Sequence, residues 1–290
     1  MRRVALVTDS SAGLPPAVAE ELGISVAPAS FAFSEGCAAD GDEERAEGYR
    51  RMRRDGIAPR AFGATESAFR AAIGAALATA ESALVVVSPF DATASFTTAS
   101  AAMLGLQFDH PPARIHVANA GIGAAGLAAL LATLGEVARR GADLEELLEM
   151  IEGLEPKCDS FVVPAAKDWL ARAGRLPLLE DRLGPFGDKA LVARTGTRIT
   201  GVALAATRAA ALAQAVHDVA CRAGGVPVNV TIVHAGAPGE AEAFAATARQ
   251  SLAAARLEVS QLPMAYGALL GPGTLGLGVC PAAAAGGRDA

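Results

Sequence analysis

The chain has 290 residues, enough for two domains of ordinary size, and 52% are hydrophobic while only 4% are aromatic, so its core has to be built from Ala, Val and Leu. A formal net charge of -6, with arginines scattered among the acids, leaves no basic stripe for a nucleic-acid backbone; the Arg50–Arg54 cluster reads as the solvated face of a helix. No segment approaches the length that spans a bilayer, Asp9 interrupts the apolar run behind Met1-Arg-Arg, and Cys37, Cys158, Cys221 and Cys280 stand in no framework spacing, so the expectation is a cytoplasmic protein with reduced thiols and no stable membrane insertion.

In chain order, Val4–Val7 is a strand that runs into Thr8-Asp9-Ser10-Ser11, and Gly13-Leu14-Pro15-Pro16 opens a helix through Ala17–Leu22. A strand at Gly23–Pro28, alternation at Phe31–Phe33, an acidic loop at Asp40–Glu44 and a helix over Arg45–Arg54 follow. Pro59–Ser67 reads as a turn-rich entry to a helix over Ala68–Ala80, with Thr65 its N-cap.

Leu84–Val87 is short, apolar and valine-rich, as strands covered on both faces are. Pro89 and Asp91 break it, and Thr93 or Ser95 is placed to cap a helix running through Ala99 and Met103. Hydroxyls and free backbone N–H groups then point the same way at the positive end of a helix dipole, which makes a small seat for an anion or carboxylate. Ile115–Ala118 repeats the pattern: a strand, Asn119-Ala120-Gly121, then an apolar helix over Leu127–Arg139. Asp143 and Glu146 have capping-box spacing for one more helix. Strands alternating with helices predict a mostly parallel sheet with helices on both faces over residues 1–155, its three polar turns gathered at the carboxyl edge where ligands bind.

Beyond about Glu155 the texture changes. Ser160–Pro164 reads as a strand and Lys167–Arg172 as a helix, with Gly174 as its C′ residue and Arg175 just past it. Leu191–Arg194 and Ile199–Leu204 form a hairpin about Thr195-Gly196-Thr197, and a helix over Thr207–Ala223, a strand over Val228–Val233, a helix over Glu240–Ala255 and a strand over Leu257–Gln261 follow. The expectation for residues 156–280 is a second α/β domain with a largely antiparallel sheet, and for 281–290 a disordered tail.

Gly121-Ile122-Gly123-Ala124-Ala125-Gly126 spells a dinucleotide fingerprint after a strand, but the second strand and ribose-binding acid that should follow are missing, so close helix–sheet packing explains the glycines better. Gly271-Pro272-Gly273-Thr274-Leu275-Gly276 has the same letters with a proline inside, and reads as a loop that brings backbone close to something. His110, His116, His217 and His234 fall in no ligand spacing, and no nucleophile elbow or P-loop occurs.

Taken in order, VTDSSAGLP at Val7–Pro15, Ser25-Val26-Ala27-Pro28 with Asp40-Gly41, Ala173-Gly174-Arg175, His234-Ala235 and the Gly271–Gly276 loop resemble the DegV family, whose opening motif is VTDSTADLP, over about residues 4 to 280. The resemblance implies two α/β domains holding one long-chain fatty acid between them, without catalysis of their own and without a metal or other cofactor. It also implies, for some members, presentation of the acyl group to an ATP-binding partner in a bacterial fatty acid kinase. The family's TSQPSPxxF falls on Ala61–Phe69, with Ala61 and Phe62 in place of Thr and Ser and with Thr65 nearby. Its SSGLSGTY falls on Pro89–Phe96, which puts Thr93 at the carboxylate-binding serine, Ala94 at a glycine and Ser95 beside them. Arg175 matches the arginine of the GGRIS turn, and in GxHxGPG the histidine position is Leu269, with Gly271 opening the loop.

The resemblance therefore implies a ligand site of Thr93, Ala94, Ser95, Phe62, Thr65, Arg175, Leu269 and Gly271. Two other classes stay open on the residues. One is an enzyme, either a nicotinamide-dependent reductase on the Gly121 loop or an acyl-transfer catalyst using Thr93 or Ser95 with His234 or Asp91 as base. The other is a degenerate relative that binds nothing.

Overall fold

A computed structural model describes residues 2–88, 93–109, 114–187 and 189–283. The first half runs β1 (Arg2–Asp9), α1 (Pro16–Leu22), β2 (Ser25–Ala27), β3 (Ser30–Phe33), β4 (Gly36–Ala39), α2 (Asp42–Asp55), β5 (Arg60–Phe62), α3 (Glu66–Leu77), β6 (Ala80–Val87), α4 (Ser95–Asp109), β7 (Arg114–Asn119), α5 (Ala124–Arg139) and α6 (Leu144–Leu154). The second half runs β8 (Asp159–Val163), α7 (Asp168–Arg172), α8 (Leu176–Leu183), β9 (Ala190–Thr195), β10 (Ile199–Ala205), α9 (Arg208–Ala223), β11 (Val228–His234), α10 (Pro238–Ser251), β12 (Ala254–Gln261), α11 (Met264–Leu270) and β13 (Leu275–Pro281).

β2, β1, β6 and β7 form a parallel sheet in that order. Val4–Val7 and Ala83–Val87 are buried, which is why both strands read as continuous apolar runs. Because all four strands run the same way, Asp9, Ala27, Val87 and Asn119 finish on one edge. The strand order turns back between β1 and β6, which leaves a crevice there, the place where ligands sit in open α/β sheets.

The second sheet has the order β10-β9-β8-β13-β11-β12; its described pairings are antiparallel except β11 with β12, the pair joined through α10. A small antiparallel sheet, β4-β3-β5, stands beside them. The mixed α/β architecture with one parallel and one largely antiparallel sheet is as expected from the sequence.

Helix α5 joins the layers. It is almost entirely buried, packed on β1 from one side and on β8, β11 and β13 from the other. Glycines make that approach possible. A methyl at Gly278 would fall 1.9 Å from the carbonyl carbon of Ala125, and one at Gly126 would fall 2.7 Å from the carbonyl oxygen of Asp159. The fingerprint-like glycines of the α5 entry thus press against protein: a methyl at Gly123 would strike the Thr195 hydroxyl, and the Gly121 N–H donates to Glu155 at 2.9 Å.

Several boundaries differ from the sequence expectation. Asp42, Glu43 and Glu44 form the first turn of α2 rather than a loop, because carboxylates there, with Arg53 and Arg54 in the last turn, complement the helix dipole. Arg60–Phe62 pairs with β3 as a strand inside the stretch expected to be a turn-rich helix entry. Helix α3 stops at Leu77 and Ala80 pairs with Arg2, so the last residue of the expected helix belongs to β6. Likewise Ala254 opens β12 instead of continuing α10, and Leu275–Pro281 is a central strand. Helices α8 and α11 carry no expectation from the sequence. Pro89, Asp91, His110 and most of the expected tail lie outside the described residues.

Candidate functional site

The crevice between β1 and β6 is lined by polar groups that the strands deliver there. Thr8 Oγ1 donates across it to the Val86 carbonyl at 2.8 Å. Asp9 is fully buried; its Oδ1 accepts from the Ser11 amide at 3.0 Å and from the Ser11 hydroxyl, whereas Oδ2 has no partner. Ser95, the first residue of α4, stands beside that carboxyl, is 1% exposed and also leaves Oγ without a hydrogen bond. Burial pushes the Asp9 carboxyl above its ordinary value; Ser11 and Ser95 oppose this and the Asp40 charge adds to it. A buried hydroxyl with unused capacity, at the positive end of a helix, forms a seat for a group able to accept from it.

A second layer fixes this crevice to the rest of the chain. Ser88 Oγ donates to the Ile122 carbonyl at 3.0 Å and lies 3.2 Å from the Tyr266 hydroxyl, which ties β6 to the α5 entry and to α11. Arg45 is buried against Asp40 at 2.6 Å and donates to the Ser10 carbonyl at 2.6 Å. Asp40 in turn accepts from the Met264 amide at 3.2 Å, and the Tyr49 hydroxyl donates to Leu262 at 2.7 Å. Both phenols are raised by burial and stay neutral. A recess of about 390 Å³ opens past Ser10 between α1, β2 and the start of α2, with Leu14, Ile24, Val26 and Pro28 on its walls.

The residues named from the sequence fall in three groups. Thr93 is buried, Ala94 has φ +50 as the one non-glycine in the left-handed region among the described residues, and Ser95 follows them into the crevice. Gly63 comes so close that a methyl on it would fall 1.9 Å from the Thr93 carbonyl oxygen, so the end of β5 abuts this entry and brings Phe62 to its rim. Phe62 is 38% exposed under the Arg60 guanidinium, and Thr65 is exposed, its oxygen accepting from the Ala68 amide at 3.2 Å as the N-cap of α3.

Leu269 is half-buried on α11, which packs on β5 and α7, and Gly271, at φ +82, lies flat against the Trp169 indole. Arg175 is separate. It is exposed at the start of α8, and its amide closes a Schellman turn on Leu170 at 2.8 Å behind Gly174. His234 is buried, its Nδ1 accepting from Ala237 at 3.2 Å and its basicity lowered by burial. Among the described residues no group of three or more His, Cys, Asp or Glu side chains is arranged to hold a metal, and no helix is long and apolar enough to cross a membrane.

Asp9, Ser88 and Tyr266 were not singled out in the sequence as site residues. Asp9 ends an apolar strand and so had a visible signal; Ser88 and Tyr266 acquire their roles only from a contact 178 residues apart in the chain.

Comparison with known proteins fits this architecture. A DegV domain-containing protein of Streptomyces coelicolor is 27% identical over 286 residues, 95% of this chain and 98% of that one. Three solved structures share the fold: a DegV lipid-binding protein from Thermotoga maritima (TM-score 0.82, 17% identity, 96% of this chain and 98% of that one), a fatty-acid-binding DegV family protein from Thermus thermophilus (0.81, 22%, 97% and 100%) and a stearic acid-binding protein from Eubacterium ventriosum (0.83, 18%, 97% and 98%). The family model described as uncharacterised protein, DegV family, matches residues 3–282, and the chain belongs to the DegV family.

Proposed function

We propose that this protein is a non-catalytic carrier that binds one long-chain fatty acid, or a similar long apolar ligand, with its head group at the start of α4 and its tail between domains spanning residues 1–155 and 156–280. The observation that carries the reading is the buried Ser95 hydroxyl at the head of α4, whose oxygen makes no hydrogen bond, next to the buried Thr93. The fatty acids held by the solved relatives support the ligand class.

In this reading Thr93, Ser95 and the amides about Ala94 receive the carboxylate, with Phe62 and Thr65 at the rim. The tail lies against half-buried apolar side chains such as Phe33, Ala61, Trp169 and Leu269, near Gly271. Covering them with an acyl chain stabilises the complex by about 0.8 kcal/mol per buried methylene. In the same reading Arg175, exposed on its turn, contacts an ATP-binding kinase partner to which the acyl group is presented.

Native mass spectrometry of the purified protein, followed by palmitate titration of delipidated protein, tests the carrier. A fatty acid is expected in the first experiment and one-to-one uptake in the second. Delipidated protein that ignores palmitate and oleate sinks the reading; a nicotinamide dinucleotide found instead would point to the reductase.

A further inference from the structure

Of the four cysteines, Cys37 and Cys221 are exposed, while Cys158 and Cys280 are buried in the same apolar cluster under α5. Nothing in their sequence spacing joins them; the sheet does. β8 and β13 run antiparallel with Asp159 opposite Val279, so the next step of the ladder sets Cys158 opposite Cys280. Facing residues on antiparallel neighbours have Cα atoms about 4.5–5.5 Å apart, inside the roughly 4.4–6.8 Å range a disulfide spans. Cys158 also lines an opening of about 190 Å³ bounded by Gly121, Glu155, Ser160 and Arg194, which gives a small reagent a way to its sulfur.

We propose that Cys158 and Cys280 form an oxidisable dithiol that closes to an intramolecular disulfide between the entry of β8 and β13 when the protein meets hydrogen peroxide. The Cys158 sulfur attacks one peroxide oxygen, the O–O bond breaks, and one water leaves with the thiol proton, which makes a sulfenic acid. The Cys280 sulfur then attacks the sulfenic sulfur, the S–O bond breaks, and the hydroxyl departs with the Cys280 proton as a second water. One peroxide is reduced to two waters while two thiols are oxidised to one disulfide. The Cys280 sulfur beside it, and after that burial, push the Cys158 thiol well above its usual range, so the closed pair is a poor nucleophile and reaction waits on entry through the opening. Closure on the scale of minutes to hours, rather than seconds, is the expectation.

The test uses the full chain with Cys37→Ser and Cys221→Ser, which removes the exposed thiols, treated with hydrogen peroxide and followed by intact mass. A loss of about 2 Da is expected, restored by dithiothreitol, with Cys158 and Cys280 peptides linked in the digest. In Cys280→Ala that loss is expected to vanish. The proposal is overturned if both thiols still alkylate after peroxide and unfolding, or if the digest carries singly oxidised Cys158 with no linked peptide. Should Cys280→Ala fail to fold, the linkage map of the parent protein decides alone.

Discussion

Replacing Asp9 with Asn is expected to make the protein more stable at alkaline pH. The buried carboxyl already spends Oδ1 on two Ser11 donors, while Oδ2 and the neighbouring Ser95 Oγ both lack partners. An amide keeps the acceptor for Ser11, brings no charge to be desolvated and turns a donor toward the Ser95 oxygen. Asp9 is raised by burial, so it holds its proton more tightly folded than unfolded, where the ordinary value is about 3.9. Its contribution to stability is therefore complete below that value and is lost as pH rises through the raised folded value. Above it the wild type keeps a buried, half-satisfied carboxylate, an arrangement that costs about 1–3 kcal/mol, and a new hydrogen bond adds about 1 kcal/mol. Discounted for imperfect geometry, the gain for Asp9→Asn at pH 8 is about 1–2 kcal/mol, or roughly 2–6 °C in melting temperature. Calorimetry of ligand-free protein from pH 4 to pH 9 checks it, and the advantage should shrink toward the acid end as the wild type protonates itself. A variant that melts below wild type at pH 8, or a difference that ignores pH, refutes the reasoning.

Thr93→Val removes a hydroxyl at nearly constant volume, and the expected effect is a palmitate affinity about tenfold lower with melting little changed, as a single lost hydrogen bond to a charged group implies; equal titration curves would take Thr93 out of the site. Gly278→Ala places a methyl 1.9 Å from the Ala125 carbonyl carbon, against the Ala125–Gly126 backbone of α5, so a loss on the order of 4 kcal/mol or failure to accumulate folded protein is expected. An unchanged urea midpoint would show that α5 can move away. Ala94→Gly relieves a left-handed alanine and should raise stability by about 0.5 kcal/mol, the strain of about 1–2 kcal/mol being offset in part by glycine's freedom in the unfolded chain. Thr65→Ala should cost about 1 kcal/mol through the lost cap of α3, measured by chemical denaturation; no cost would mean another group takes over the Ala68 amide.

Local sequence was sufficient for elements whose cause is local. The valine-rich runs of β1 and β6, the Thr65 cap, the Asp143–Glu146 capping box and the hairpin about Gly196 follow from burial pattern, side-chain oxygen chemistry and turn residues within a few positions of one another. The ordered motifs from Val7 to Gly276 also identified the family, and the alternation of strands and helices placed the polar turns on one edge. Where a cause lay far away, local reading failed. Arg60–Phe62 is a strand because β3 offers it a partner, and Ala80 leaves its helix because Arg2 pairs with it.

The candidate site divides the same way. Thr93, Ala94 and Ser95 were legible as a hydroxyl-rich helix start, whereas the unfilled bonds of Asp9 and Ser95, the Ser88–Tyr266 contact and the Cys158–Cys280 pair depend on strand order and on which faces α5 covers. Sequence by itself determined the fold class and the chemistry available at each turn, because propensity, capping and burial act over a few residues. Only the tertiary structure decided which of those groups are satisfied and which are left wanting, because a hydrogen bond or a facing thiol is a relation between strands that the chain order does not contain.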